Sequence, residues 1–439
     1  MSELEPNEPR ILARAEHSIS RKNISREALK VLYRLADGGH RAYLVGGSVR
    51  DLMLGREPKD FDVATDARPN EVRRLFRNAR VIGRRFRLAH VIFRDEIVEV
   101  STFRREPDPA EQRSDDPDDL LITSDNTFGS PDEDARRRDF TVNALFYSIS
   151  DFSVIDYVGG VADLERRTIR TIGDPLVRFR EDPVRMMRAC ELAGRLGFGI
   201  DAASQAAMQE LSSEIGRAAP PRLTEELIEL LRCGRAGAAL QWMLDLGLLS
   251  TLLPEAYAMI AASERGLGDF GRMLPTLDRK ASAGREIGEG ALLASLLLPS
   301  VLLRRFDVEA VSQRALRRAE LRALTEEVVA PFFERFALSK ERARRTTEAL
   351  AGFHRLCERR SATERVRVAG AAWFPDALWL FELLADSTGE GHEELAQWQA
   401  AARRRPVLAA PGEGAKSESA REDGKPQPAR RRRRRRRRR

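Results

Sequence analysis

Residues 44–51 read Leu-Val-Gly-Gly-Ser-Val-Arg-Asp, and residues 60–62 read Asp-Phe-Asp. The apolar run 42–45 predicts a short strand, Gly46-Gly47 a tight turn, and 49–54 a helix stopped by Gly55. Such a turn sets unhindered backbone N–H groups beside a helix N-terminus, an arrangement that binds phosphate, and Ser48 and Arg50 add a hydroxyl and a cation. A second strand is predicted over 61–64. Residues two apart on a strand face the same way, so Asp60 and Asp62 put two carboxylates on one side of the sheet, where they repel unless a cation bridges them. Hard oxygen donors suit Mg²⁺, which keeps waters and takes further ligands from substrate phosphates.

Upstream, Ser25 reads as the N-cap of a helix carrying Leu29, Leu32, Tyr33 and Leu35 and closed by Gly38-Gly39. Downstream, Pro69 opens a helix with Val72, Leu75 and Phe76, and 89–93 and 96–103 read as paired strands turning at Arg94-Asp95. His90, in the apolar stretch 88–93, reads as a core or edge histidine. Between 105 and 134, four prolines accompany eleven acidic residues and two arginines, the composition of a solvated surface loop or of an acidic flap near the site. Beyond Gly160 strand signals nearly vanish, and helical patterns run from 183–195 through 202–211, 223–231 and 236–246 to about 402. A Gly194-Arg-Leu-Gly-Phe-Gly199 pattern follows a helix and not a strand, which removes a dinucleotide reading.

The chain has 439 residues, 42% of them hydrophobic, enough for two or three domains with their own cores. No apolar run reaches the length that spans a membrane, and the first ten residues lack the blocks of a secretory signal, so a cytoplasmic protein is expected. Cys190, Cys233 and Cys357 lie far apart, as do the five histidines, so no zinc site of familiar spacing is available. Net charge is +7, but residues 403–439 hold 16 basic and 4 acidic side chains, leaving the first 402 residues at −5. That tail ends in ten consecutive arginines, 430–439, which cannot bury enough apolar surface to fold alone. A mildly acidic body with a basic arm points to a polyanion partner.

The turn and the Asp pair, taken with later segments, resemble the class II nucleotidyltransferase family of the polymerase-beta superfamily, which holds bacterial poly(A) polymerases and CCA-adding tRNA nucleotidyltransferases. Arg137-Arg138-Asp139-Phe140-Thr141-Val142-Asn143 matches its ribose motif, Asp156-Tyr157-Val158-Gly159-Gly160 its hinge, and Glu181-Asp182-Pro183-Val184-Arg185 its base-reading motif, in the family's order. A weaker helical segment, Pro221-Arg222-Leu223-Thr224-Glu225-Glu226-Leu227, extends the likeness to about residue 250. The resemblance implies an α+β fold with a small-sheet polymerase-beta-like head, followed by an all-helical neck and body. The expected organisation is an N-terminal extension (1–25), head (26–160), neck (161–250), body (251–402) and disordered Arg-rich tail (403–439).

It also implies a two-metal Mg²⁺ site on Asp60 and Asp62 and further carboxylate help from Asp139 or Glu99. Glu99 otherwise reads as an exposed strand residue, and Asp139 as the N-cap of a helix carrying Phe140, Ala144 and Leu145. Gly46, Gly47, Ser48 and Arg50 would contact phosphates, and Arg138 with Asp139 the ribose. Asp182 and Arg185 by themselves read as an i,i+3 ion pair on a helix; the resemblance makes them readers of the adenine edge. Gly-Arg-Arg-Phe-Arg-Leu-Ala-His-Val at 83–91, Asn-Thr-Phe-Gly-Ser at 126–130 and Ser-Arg-Lys-Asn-Ile-Ser at 20–25 resemble the poly(A) polymerase branch. The implied activity is template-independent addition of AMP from ATP to RNA 3′ ends by a monomer, with the tail gripping RNA phosphates. CCA addition to tRNA is the alternative, and a catalytically silent RNA-binding adaptor stands against both.

Overall fold

The computed structural model describes residues 8–83, 87–106, 127–261, 268–284 and 286–404. The acidic stretch 107–126, Arg84-Arg85-Phe86 of the segment resembling poly(A) polymerases, and the tail from 405 lie outside the described residues. An eight-stranded sheet forms the head from β1 (Arg10–Leu12), β2 (Ala42–Val45), β3 (Asp62–Thr65), β4 (Ala79–Ile82), β5 (Leu88–Ile92), β6 (Ile97–Thr102), β7 (Leu145–Ser148) and β8 (Val154–Asp156). Their order is β1-β8-β7-β2-β3-β6-β5-β4, with every pairing antiparallel except β3 with β6. The sheet is wider than its sequence suggests. β1, β4, β7 and β8 are three or four residues long, too short to establish a period of two, and only pairing with neighbours defines them.

Helices α1 (Arg26–Asp37) and α3 (Pro69–Leu75) cover one face of this sheet, and α2 (Gly47–Met53) follows β2. The Ser25 hydroxyl accepts the Ala28 N–H at 3.0 Å and starts α1, whose Ala28, Val31, Leu32 and Leu35 are buried with Val63, Val98 and Val100 of the strands. The opposite face carries a smaller cluster around Val45, Ala64, Phe103 and Phe146, where the Phe146 ring meets Tyr157 at 5.7 Å and Tyr43 at 5.9 Å. Residues 10–24 are no separate extension: β1 pairs with β8, and Ile19 and Ile24 are buried in the head.

Next come α4 (Pro131–Arg136), α5 (Gly160–Arg166), α6 (Pro175–Glu181), α7 (Val184–Leu196), α8 (Ala202–Glu210), α9 (Pro220–Arg232) and α10 (Ala236–Asp245), with one two-stranded ladder, Thr168–Ile169 against Gly199–Ile200. Gly194 serves packing: a Cβ there would lie 2.6 Å from the Ala239 backbone N, so the glycine lets α10 lie against α7. Among the described residues the remaining chain is mainly helical to Arg403, with a long helix, Glu289–Ser312, packed against Lys340–Leu356 and Phe374–Thr388. Among the described residues no helix is long and apolar enough to cross a membrane.

Candidate active site

Gly46 leaves β2 with φ +72°, a backbone region L side chains rarely adopt, and a Cβ there would sit 3.3 Å from an Arg138 Nη1. The positive φ is what calls for glycine; the flexible Arg138 end would have to give by only a few tenths of an ångström. The first N–H groups of α2 have no acceptor within the helix and open the turn to an anion. Ser48 and Arg50 do not reach out as the sequence suggested. The Ser48 hydroxyl donates to the Val45 carbonyl at 2.9 Å, and buried Arg50 donates to Asp51 at 2.8 Å and to the Asn143 side-chain oxygen. Arg50 ties the turn to the ribose-motif segment, which leaves the backbone N–H groups as the open donors of the turn.

Asp62 opens β3, whereas Asp60 lies just ahead of the strand and is exposed. The parallel register places Asp62 beside Glu99, and the antiparallel one sets His90 beside Glu99, so the three share one face of the sheet. His90 Nε2 lies 3.4 Å from Glu99 Oε2. It is neither a core nor an edge histidine; it belongs to the polar half of the face, because β5 is interior and its alternate residues Ala89 and Val91 take the apolar side. Burial, then the negative charge of Glu99, pushes the Asp62 carboxyl up to about 6, with Asp60 adding to the push and Arg138 opposing it. A carboxylate crowded this way favours a hard cation at its oxygens, which fits a Mg²⁺-type ion. Among the described residues no three His, Cys, Asp or Glu side chains are grouped to hold a metal alone, so such an ion would need ligands from water and substrate.

Asp139 stands apart from that carboxylate group. Its Oδ1 accepts from the Phe140 N–H at 2.8 Å and from the Asn143 amide at 3.3 Å, and Oδ2 lies 2.9 Å from Arg188 Nη2 without hydrogen-bond geometry, leaving a buried acceptor unfilled. Although burial alone would raise it, Arg188 and these donors hold the Asp139 carboxyl below the usual range. The expected helix after Asp139 is absent: Thr141–Asn143 form a single 3-10 turn and Leu145 enters β7, where pairing with β2 and β8 overrides the helical spacing. Arg138 donates to the Asp134 carboxylate at 2.9 and 3.2 Å and lies over the Phe146 ring at 5.3 Å, which sets its guanidinium beside Gly46.

Asp182 and Arg185 do not pair with each other as an i,i+3 bridge would. Asp182 ends α6 and is held in bidentate fashion by Arg222 of α9, one contact at 2.8 Å. Arg185 is buried on α7 and donates to the Arg178 carbonyl at 2.8 Å and to Glu181 at 3.1 Å. Both face a cavity of about 420 Å³ that also takes in Gly46, Gly47, Asp62, Glu99, Arg138 and Asp139. A second cavity of about 450 Å³, lined by Asp60, Ser48, Arg50, Glu226 and Arg232, meets the first at Gly47, Asp62, Asn143 and Arg188. Asp62 therefore stands where two chambers join.

Four neighbours of the site received no role of their own from the sequence, although Asn143 and Arg222 lie inside the quoted motifs. Arg188 ties Asp139 to Glu226, Asn143 joins Arg50 to Asp139, Arg222 grips Asp182, and buried Arg178 donates to the carbonyls of Arg137 and Arg138. Arg188 was findable, three residues beyond Arg185 on the same helix face; Arg178 and Arg222 leave no spacing signal.

Residues 42–170 match the poly(A) polymerase head domain, and 197–259 match a probable RNA- and SrmB-binding site of polymerase A. Poly(A) polymerase I of Salmonella typhimurium is 50% identical over 247 residues, 56% of this chain and 53% of that protein, and the Escherichia coli O157:H7 enzyme is 49% identical over 250 residues, again 56% and 53%. The CCA-adding enzyme of Bacillus subtilis is 38% identical over 226 residues, 52% of this chain and 55% of its own length. The chain thus spans about half the length of the curated relatives it matches. Among solved structures, the Bacillus stearothermophilus CCA-adding enzyme in complex with CTP superposes with a TM-score of 0.56 at 26% identity, covering 85% of this chain and 82% of that one.

Proposed function

We propose that this chain, whose residues 42–170 belong to the poly(A) polymerase head-domain family, transfers AMP from ATP to RNA 3′ ends without a template. The observation that carries the reading is the single cavity in which Gly46-Gly47, Asp62, Arg138, Asp139, Asp182 and Arg185 converge from four separate segments. In this reading the head (26–160) carries the chemistry, the neck (161–250) reads the nucleotide, the body (251–402) binds RNA, and the tail from 403 grips phosphates.

A divalent cation, Mg²⁺ by donor type, would be held by Asp60 and Asp62 and would supply charge neutralisation for the phosphates and acidity for the attacking hydroxyl. The backbone of the Gly46-Gly47 turn cradles the phosphates, and Arg138 adds positive charge beside it. Asp139, kept ionised by Arg188, offers its unfilled Oδ2 to a ribose hydroxyl. Its fixed position supports a binding role over the catalytic one expected, and Glu99 is the better placed third carboxylate. Asp182 accepts the adenine amine and Arg185 donates to the ring nitrogen next to it. The RNA 3′ oxygen then attacks the α-phosphorus, the bond to the pyrophosphate oxygen breaks, the hydroxyl proton passes to a carboxylate or solvent, and pyrophosphate leaves. The product is RNA longer by one adenylate, consistent with a cytoplasmic, monomeric enzyme of bacterial RNA polyadenylation and turnover.

CCA addition to tRNA is the competing reading, favoured by the solved structural neighbours; the higher identity to poly(A) polymerase I, 49–50% against 38%, tips the choice. The deciding experiment offers ATP, CTP, GTP and UTP singly and together to an unstructured RNA and to a tRNA lacking its 3′ CCA. Long ladders with ATP on both substrates are expected. Addition confined to the tRNA and stopping after two C and one A would establish the CCA enzyme, and no incorporation with either would leave an RNA-binding adaptor.

A further inference from the structure

The face of the head sheet opposite Asp62 is covered by α1 and α3, and their outer surface is strongly basic. Arg26, Lys30 and Arg34 recur at i, i+4 and i+8 on α1, about 6 Å apart along its axis, and all are exposed. Arg73, Arg74 and Arg77, on α3 and just after it, are exposed as well. Among the described residues Arg73, Arg74 and Arg77 form no ion pair with a carboxylate, while on α1 the Glu27 carboxylate takes Lys30 at 3.1 Å and feels the charge of Arg26 beside it. An open groove of about 850 Å³ runs between α1 and the turns at Phe76 and Phe93, with Asp37 its one lining carboxylate. Lys30 lies over the Phe93 ring at 5.7 Å and Arg34 over Phe76 at 5.4 Å, while Tyr33, 39% exposed, stands between these cations with its hydroxyl taking a bond from Arg21.

We propose that this α1–α3 surface is a second RNA-binding site, which grips the backbone of the strand upstream of the 3′ end through unpaired arginines and offers Tyr33 as a stacking platform. The proposal rests on the RNA-extending reading above. Uncompensated cations on a folded surface gain by releasing counterions from a polyanion, and an exposed ring beside them suits unpaired bases of any sequence. An RNA chain fits better than an acidic protein, because the cations form a regular ladder interleaved with aromatic rings. The matches to known proteins assign RNA binding to 197–259, which includes none of these residues.

The test is equilibrium binding of a long labelled oligo(A) to the full chain without ATP, titrated between about 50 and 200 mM salt. A variant carrying Arg26→Ser, Arg73→Ser, Arg74→Ser and Arg77→Ser, whose folding is checked by its thermal melt, should bind at least roughly tenfold more weakly, with a salt slope shallower by about 3, at ~0.7 per phosphate lost. Changing the same four residues to Lys should restore binding, since a phosphate contact needs charge alone, and Arg73→Ser with Arg77→Ser supplies a milder variant should the fourfold change unfold the chain. Unchanged affinity and slope overturn the proposal, as does an equal loss with a trinucleotide too short to leave the active site. So does loss of binding to an acidic polypeptide with RNA binding intact, which would make the surface a protein-docking face. Since ATP is absent, failure here is separable from failure of the adenylyl-transfer reading, which incorporation measures.

Discussion

The two faces of the head sheet are made by the same strands, and only one of them carries the charged groups beside its apolar cluster. On one, Leu44, Val63, Ala89, Val98 and Val100 pack under α1 and α3. On the other, one residue along each strand, lie Val45, Asp62, Glu99 and His90. The apolar face would tolerate many sequences of similar volume, because burial is non-directional. The polar face depends on register: a slip of one residue between β3 and β6 would carry Glu99 to the buried side and leave Asp62 without its neighbour. One face supplies rigidity, and the other places unfavourable charges on it.

That division can be broken in order of expected size. Asp62→Ala, or Asp60→Ala, should lower nucleotide incorporation on the order of 10³-fold or more while RNA binding and the circular dichroism spectrum stay unchanged; substantial residual activity would show that the polar face is not the catalytic one. On the apolar face, Leu32→Ala should lower unfolding free energy by about 2–5 kcal/mol in denaturant titration, with kcat well below the melting temperature little altered. Arg222→Ala frees Asp182 and should cost about 1–3 kcal/mol of discrimination for ATP over the other nucleotides, read from ratios of kcat/KM. A parallel loss with every nucleotide would mean that Arg222 only supports the neck.

Smaller effects test the charge crowding itself. With metal removed, Asp62→Asn should raise stability at pH 8 by about 1 kcal/mol, because an ionised carboxylate is then absent from a place that disfavours it. With its folded value near 6 against an unfolded 3.8, Asp62 keeps in the native state a proton that the unfolded chain has lost, so its contribution to stability falls as pH rises from about 4 to 6. Glu99→Gln should move the Asp62 midpoint downward in a carboxyl-resolved NMR titration of the metal-free protein; an unmoved midpoint would assign the shift to burial alone.

Much of the site was legible because its residues sit in short local patterns. The Gly46-Gly47 turn, the Asp pair, Arg138-Asp139 and Asp182-Arg185 each lie within a few residues of one another; the first two patterns suggest their own chemistry, and the last two took theirs from the family resemblance. Ser48 and Arg50 show the limit of that legibility. Their types suit phosphate, yet Val45, Asp51 and Asn143 claim them, and nothing in an octapeptide tells which way a side chain turns. The body after residue 250 was readable only as helices, since amphipathic periodicity gives a face to bury and no partner to bury it against.

The sequence by itself determined the strand, turn and helix of the opening motif, the mainly helical nature of the described residues after Gly160, and the identity of the paired carboxylates, because propensity, glycine freedom and spacing act over a few residues. Tertiary structure alone decided that β3 and β6 run parallel with Asp62 beside Glu99, that Arg188 fixes Asp139, and that Arg222 captures Asp182. The partners in these contacts lie 37 to 49 residues apart, and their pairing follows from how the sheet and helices pack as a whole, which no local rule encodes.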